Sequence, residues 1–163
     1  MKRLTLVLLV AVLSVAMFAS ADAQLALRAG GGMIFDGSQP GGHVSLILPF
    51  SDKPAGLMVA GEYYKKSGIT TIPVSARGLY NLDAGESADI YLGLGTGIIY
   101  SKADLGIVST SSTKMLFSAV GGLKFNTSET FGFFGELSLE RALTDGADNN
   151  LAGKAGVAIT FID

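Results

Sequence analysis

Residues Phe133–Leu143 read FFGELSLERAL, and taken two at a time they separate by polarity. Phe133, Gly135, Leu137 and Leu139 fall in one set, and Phe134, Glu136, Ser138 and Glu140 in the other. Successive side chains of a β-strand point to opposite sides, so the stretch reads as a strand with one oily face and one largely acidic face. The chain as a whole is 48% hydrophobic with a mean hydropathy of +0.45. Which of the two faces is turned away from solvent decides the fold.

The same period of two recurs along the chain. Gln24–Phe35 places Leu25, Leu27, Ala29, Gly31, Met33 and Phe35 together. His43–Phe50 does so with Val44, Leu46, Leu48 and Phe50, and Gly56–Lys66 with Leu57, Val59, Gly61 and Tyr63, leaving Glu62 opposite. Ile69–Tyr80 sets Ile72, Val74, Ala76, Gly78 and Tyr80 against Ser75 and Arg77. Asp89–Lys102 sets Ile90, Leu92, Leu94, Thr96, Ile98 and Tyr100 against Tyr91, Gly93, Gly95 and Gly97. Lys114–Phe125 sets Met115, Phe117, Ala119, Gly121, Leu123 and Phe125 against Ser118, Gly122 and Lys124, and Asn150–Phe161 sets Leu151, Ala155, Val157, Ile159 and Phe161 against Lys154 and Thr160. Alternation sustained over such lengths predicts strands and not helices.

Between these eight segments lie stretches such as DGSQPGG, SDKPAG, LDAGESA, NTSET and TDGADNN, whose Gly, Pro, Asn, Asp and Ser supply turn dihedrals. Short connections favour antiparallel hairpins, because parallel strands need long crossovers. The prediction is all-β: eight antiparallel strands in up-and-down order. The one longer connection, ADLGIVSTSST, still alternates at Leu105, Ile107 and Ser109 and is expected to extend as a protruding hairpin. Pro73 removes a ladder donor, so a bulge or strand start is expected there.

The first 23 residues have a different build. Lys2 and Arg3 precede an apolar run from Leu4 to about Phe18, followed by ASADA. Basic, apolar and small-residue regions in that order predict a secretory signal peptide, cleaved between Ala23 and Gln24; the apolar run is shorter than the ~20 residues of a spanning helix. Cleavage removes Lys2, Arg3 and Asp22 and moves the formal net charge from −2 to −3, which does not favour nucleic acid. Residues 24–163 are then one domain. With no cysteine, neither a disulfide framework nor a lipoprotein anchor is available.

Eight up-and-down strands close into a barrel, and three features choose its polarity. The segments run to about ten residues, the length a tilted strand needs to cross a bilayer. The polar set is rich in small residues (Gly30, Gly32, Gly93, Gly95, Gly97, Gly122, Ala152, Gly156, Ala158), which suit a narrow lumen and have no packing reason on a solvated exterior. The apolar set ends in aromatics, with Phe50, Tyr80, Phe125, Phe131 and Phe161 toward one end and Phe35, Tyr63 and Tyr100 toward the other, as interfacial girdles require. The expectation is therefore an eight-stranded transmembrane β-barrel with Leu137 and Leu139 facing acyl chains and Glu136 and Glu140 facing the lumen.

In strand count, alternation, girdles and a terminal strand GKAGVAITF ending in an aromatic, residues 24–161 resemble the small eight-stranded outer-membrane barrels, the OmpA transmembrane domain and OmpX group. Ile162 and Asp163 follow Phe161, where such chains often end on the aromatic itself. The resemblance implies location in the bacterial outer membrane, an N-terminus in the periplasm, a plugged, salt-bridged interior and no cofactor. No peptidoglycan-binding domain is expected after the eighth strand. Arg28, Glu62, Arg77, Lys124, Glu136, Glu140 and Lys154 form the expected lumen network, because charges in a narrow interior must pair. Lys65, Lys66, Lys102, Lys114 and Arg141 fall at the outer strand ends, a basic collar for lipid headgroups. The opposite rim carries Asp52, Asp83, Glu86, Asp89, Glu129 and Asp163 with Lys53 as its base.

The expected function is non-enzymatic: structural support or surface interaction, with outer-membrane lipids, lipopolysaccharide among them, and the barrel assembly machinery as partners of a monomer. Two alternatives are a lipid-modifying enzyme and a narrow pore for small solutes. The His43–Ser45 spacing is similar to that of the lipid A deacylases, eight-stranded barrels whose pair faces lipid on a late strand. Here the pair lies on the second strand and by parity faces the lumen, so a strand-end histidine without catalytic role is expected. One histidine and no cysteine give no metal site. GLGTG at residues 93–97 lacks the strand–loop–helix context and lysine of a phosphate loop.

Overall fold

The computed structural model describes residues 25–50, 53–85, 87–104, 106, 109–144, 146–147 and 149–161; the expected signal peptide lies outside them. Eight strands follow in chain order: β1 (Leu25–Ile34), β2 (Gln39–Pro49), β3 (Ala55–Lys66), β4 (Ile69–Asp83), β5 (Ala88–Asp104), β6 (Ser109–Asn126), β7 (Phe131–Ala142) and β8 (Asn149–Phe161). Each pairs antiparallel with the next and β8 pairs with β1, so the sheet closes without an edge. The strand count and up-and-down order are those the alternation predicts.

The register sets the dimensions. Following paired residues from Pro49 through Gly56, Leu79, Gly93, Val120, Ser138, Ala152 and Ile34 leads back to β2 at Gln39, ten residues from the start. A stagger of that size over eight strands tilts them by about 40° from the barrel axis and leaves an interior just wide enough for side chains. Every residue on that path faces inward, which is why the lumen is filled along a spiral.

Exposure is the inverse of that in a water-soluble protein. Leu94, Met115, Leu137 and Val44 point outward and are 64%, 61%, 56% and 54% exposed, whereas Arg77, Ser118, Glu136 and Lys154 point inward and are buried. Only lipid makes the outward set favourable, and closure satisfies the backbone groups that lipid could not. Thr96, the polar member of the outward set, donates its hydroxyl to the Leu116 carbonyl at 2.8 Å and so presents no free donor to the membrane. Phe50, Tyr80, Phe125 and Phe161 are exposed near the end bearing the chain termini, and Phe35 and Tyr63 near the other.

The small inward residues are accounted for by their neighbours. A Cβ on Gly122 would run into the Tyr91 hydroxyl, and one on Gly41 into the Tyr64 ring. These glycines are the space in which two bulky lumen side chains lie. The β3–β4 hairpin is a two-residue turn with positive φ at both Ser67 (48°) and Gly68 (81°), the backbone that matches strand twist.

Two expectations need correction. Pro73 marks neither a strand start nor a bulge: β4 begins at Ile69, and the β3–β4 register is the same on both sides of it (Gly61↔Val74 and Tyr64↔Thr71). Pairing with β5 continues through Pro73↔Ile99, and the β3 ladder simply lacks the pairs at Glu62 and Tyr63. All strands but β1 also exceed ten residues, and β5 and β6 reach 17 and 18 because they pair out to Asp104↔Ser109, past the last β6–β7 pair at Leu116↔Ala142. That extension is the protruding hairpin expected from ADLGIVSTSST; Leu105 and Ile107 lie outside the described residues.

Candidate functional site

Alternation aims one charged residue from each of several strands at the barrel axis, and the stagger brings them to similar depth. Arg77 on β4 is the hub. Its Nη2 donates to Glu140 Oε1 at 3.0 Å and Glu62 Oε1 at 3.2 Å, its Nε donates to Ser118 Oγ at 2.7 Å, and its Nη1 lies 3.6 Å from Glu136 Oε1. Lys154 is a direct cross-strand partner of Glu136, with Nζ 3.3 Å from Glu136 Oε1, and it also donates across the lumen to Glu62. Tyr64 donates to Glu62 Oε2 at 2.7 Å and Tyr91 to Glu136 Oε2 at 2.9 Å. Thus all six strands from β3 to β8 are tied through one cluster of buried groups. Charges in so dry a place persist because each is paired and hydrogen-bonded.

Arg28 joins at the periphery. Its Nη1 is 4.0 Å from Glu136 Oε2, and its guanidinium lies over the Tyr91 ring at 4.3 Å and near the Phe134 ring at 5.5 Å. Lys124 does not join. It is half-buried, donates to Thr160 Oγ1 at 3.3 Å, and has no carboxylate within ion-pair distance among the described residues. Of the seven expected lumen residues, six are brought together and Lys124 is left at the mouth.

Tyr64, Tyr91 and Ser118 complete the network and were missing from the expected set. The signal was present: each shares inward parity with a charged neighbour, Tyr64 with Glu62 and Ser118 with Lys124. Their importance comes from contacts across the barrel, which parity does not reveal.

His43 is not at a strand end. It is the fifth residue of β2, pairs with Glu62 across the ladder, and is 2% exposed. Its Nε2 is 3.1 Å from Ser45 Oγ, its Nδ1 is 3.8 Å from Glu62 Oε1, and its ring lies 5.7 Å from that of Phe134. Serine, histidine and carboxylate stand in the order of a hydrolytic triad. A triad needs an open position about 3 Å from the nucleophile for the reacting atom. Ser45 is 1% exposed, and Glu62 Oε1 is already held by Lys154 and Arg77. The trio is therefore packing around the network. Gly93, Gly95 and Gly97 lie within β5, in a strand and not a phosphate loop.

The basic collar divides into two. By alternation Lys65, Lys102 and Arg141 share the outward parity of Tyr63, Tyr100 and Leu139, while Lys66 and Lys114 share the inward parity of Tyr64 and Leu116. Lys65 and Lys102 both flank Thr70 in the ladder and stand side by side. Lys66 donates to the Gly37 carbonyl at 2.8 Å, and Lys114 to Thr144 Oγ1 at 3.5 Å. Lys102 meets Asp104 at 3.3 Å; the Gly106 N–H and Lys102 together hold that carboxyl below its usual range. At the opposite rim Asp89 accepts from Asn126 Nδ2 at 3.1 Å. Asp52, Glu86, Asp163 and the Asp83 side chain lie outside the described residues.

No protein-family model matches the chain, and no curated protein sequence does. Solved structures do. Neisserial surface protein A superposes with a TM-score of 0.64 at 17% identity, over 85% of this chain and 96% of that one. The N-terminal β-barrel domain of Pseudomonas aeruginosa OprF gives a TM-score of 0.68 at 17% identity, over 85% and 97%. The outer membrane enzyme PagL gives 0.54 at 14% identity, over 82% and 98%. The chain thus has the fold of the small eight-stranded outer-membrane β-barrels.

Proposed function

We propose that the protein is a non-enzymatic, non-conducting outer-membrane barrel that supports the membrane and its surface, with its N-terminus in the periplasm. The observation that carries this reading is the network centred on Arg77. Groups from six strands meet on the axis, and the side chains of Arg77, Lys154, Glu62 and Glu136 are at most 1% exposed. Three carboxylates (Glu62, Glu136, Glu140) face three bases (Arg28, Arg77, Lys154), a balance that suits mutual pairing better than a charge-selective pore. Planar-bilayer recording tests it. The unmodified barrel should show no steady conductance, and Glu136→Gln, which removes a partner of Lys154 and Tyr91, should give intermittent openings. A large steady conductance unchanged by Glu136→Gln would refute the plug.

We infer that Lys65, Lys102 and Arg141 meet anionic headgroups of the outer leaflet, lipopolysaccharide in particular; their outward parity, next after Tyr63, Tyr100 and Leu139, supports this reading. Replacing these three with Gln should weaken lipopolysaccharide binding and flatten its salt dependence. The same change at Lys66 and Lys114, which share the inward parity and bond to Gly37 and Thr144, should do neither. Equal effects from the two sets would remove the distinction and the role assigned to the outward three.

A further inference from the structure

A second polar feature lies away from the plug. At the end of the barrel bearing Leu25 and Phe161 the lumen opens into a cavity of about 210 Å³, bordered by Arg28, Asn81, Asp89, Tyr91, Lys124 and Thr160, with apolar residues completing the wall. Two cations therefore face one small space, from β1 and β6. Arg28 is 5% exposed, and among the described residues its Nε and Nη1 have no hydrogen-bond partner and its one carboxylate neighbour, Glu136, stands at the 4.0 Å limit. Lys124 has only the Thr160 hydroxyl as a hydrogen-bond partner among the described residues. Asp89, the cross-strand partner of Lys124, is the carboxylate on this cavity, and it leaves the buried Arg28 Nε and Nη1 donors unmet, an arrangement that costs free energy unless an acceptor enters.

We propose that this mouth is a binding site for a phosphate group. A planar carboxylate takes its donors within one plane, whereas a phosphate accepts from several directions at once. The cavity offers donors around its rim: the Arg28 guanidinium on β1, the Lys124 ammonium on β6, the Thr160 hydroxyl on β8 and the Asn81 amide on β4. Charge-assisted bonds from guanidinium and ammonium to phosphate oxygens are among the stronger hydrogen bonds available. Asp89 also borders the space, with one oxygen held by Asn126. A carboxylate opposes an anion unless the anion can donate to it. Monohydrogen phosphate carries a P–OH that donates to Asp89; sulfate has no proton at neutral pH and meets only repulsion. The site thus selects phosphate over sulfate. It is independent of whether the plug conducts.

The test uses the refolded full chain in a maltoside detergent, which has no phosphate of its own. Inorganic phosphate is titrated while the Arg28 Nε–H resonance and the heat of binding are followed. Saturable one-site binding is expected, with a shift of the Arg28 resonance and sulfate at least about tenfold weaker. Lys124→Gln, half-buried and outside the plug, should weaken phosphate by about tenfold or more, and Asp89→Asn should abolish the preference over sulfate. Glycerol 3-phosphate provides the second arm: tighter binding than inorganic phosphate points to a lipid headgroup as the natural source, and weaker binding to the free ion. Absence of saturable phosphate binding, binding unchanged in Lys124→Gln, or binding that leaves the Arg28 resonance unmoved would each overturn the site.

Discussion

Arg77→Met should lower the stability of the folded barrel by about 3–5 kcal/mol, the usual cost of removing one partner from a buried ionic cluster. The physical cause is the set of groups left behind. Glu62 and Glu140 each lose a charge-assisted bond, Ser118 loses its donor, and Glu136 loses a cation at 3.6 Å. Methionine fills much of the volume, so the change reports electrostatics and not a cavity. Urea titration in lipid vesicles, followed by the gel shift between folded and heat-denatured forms, measures it. Glu140→Gln in the same background should recover part of the loss, because one stranded carboxylate is then neutral. If Arg77→Met costs no more than an exterior substitution, the three carboxylates are not held by this guanidinium and the cluster has been misjudged.

The second large effect is on the outside. Leu137 is 56% exposed and lies near the middle of β7. Arginine there should cost about 2–4 kcal/mol, since a charge at mid-depth must be carried in hydrocarbon. Leu137→Ala should cost far less. The contrast identifies the solvent: on a barrel surrounded by water, an exterior leucine exchanged for arginine would be close to neutral. Its neighbours Glu136 and Ser138 point the other way and are buried. A neutral Leu137→Arg in the vesicle titration would therefore invert the assignment of both faces at once.

Much of this molecule is legible one residue at a time. Strand number, strand order and the direction of each side chain follow from alternation, and alternation is local: in FFGELSLERAL the backbone itself sends Leu137 and Glu136 to opposite sides. The inverted polarity of the barrel was legible for the same reason, since lipid outside and a tight lumen inside impose opposite compositions on the two sets. Turn residues were legible where a special backbone is needed, as at Ser67–Gly68. Pro73 misled, because its missing donor was absorbed by a short gap in one ladder without a shift of register.

What the tertiary structure decided is which of the inward residues meet. That depends on the ten-residue stagger and the depth it gives each side chain, a property of the closed sheet that no single strand contains. Parity alone put Lys124 and Lys154 in one class; closure sent Lys154 to the axis between Glu62 and Glu136, and left Lys124 at the mouth beside Thr160. Parity put His43 on the lumen face; closure set it against Glu62 and under the ring of Phe134. The sequence by itself determined the faces, because side-chain direction is set by the local backbone; the partners were decided by the barrel, because contacts across a lumen exist only once the sheet has closed.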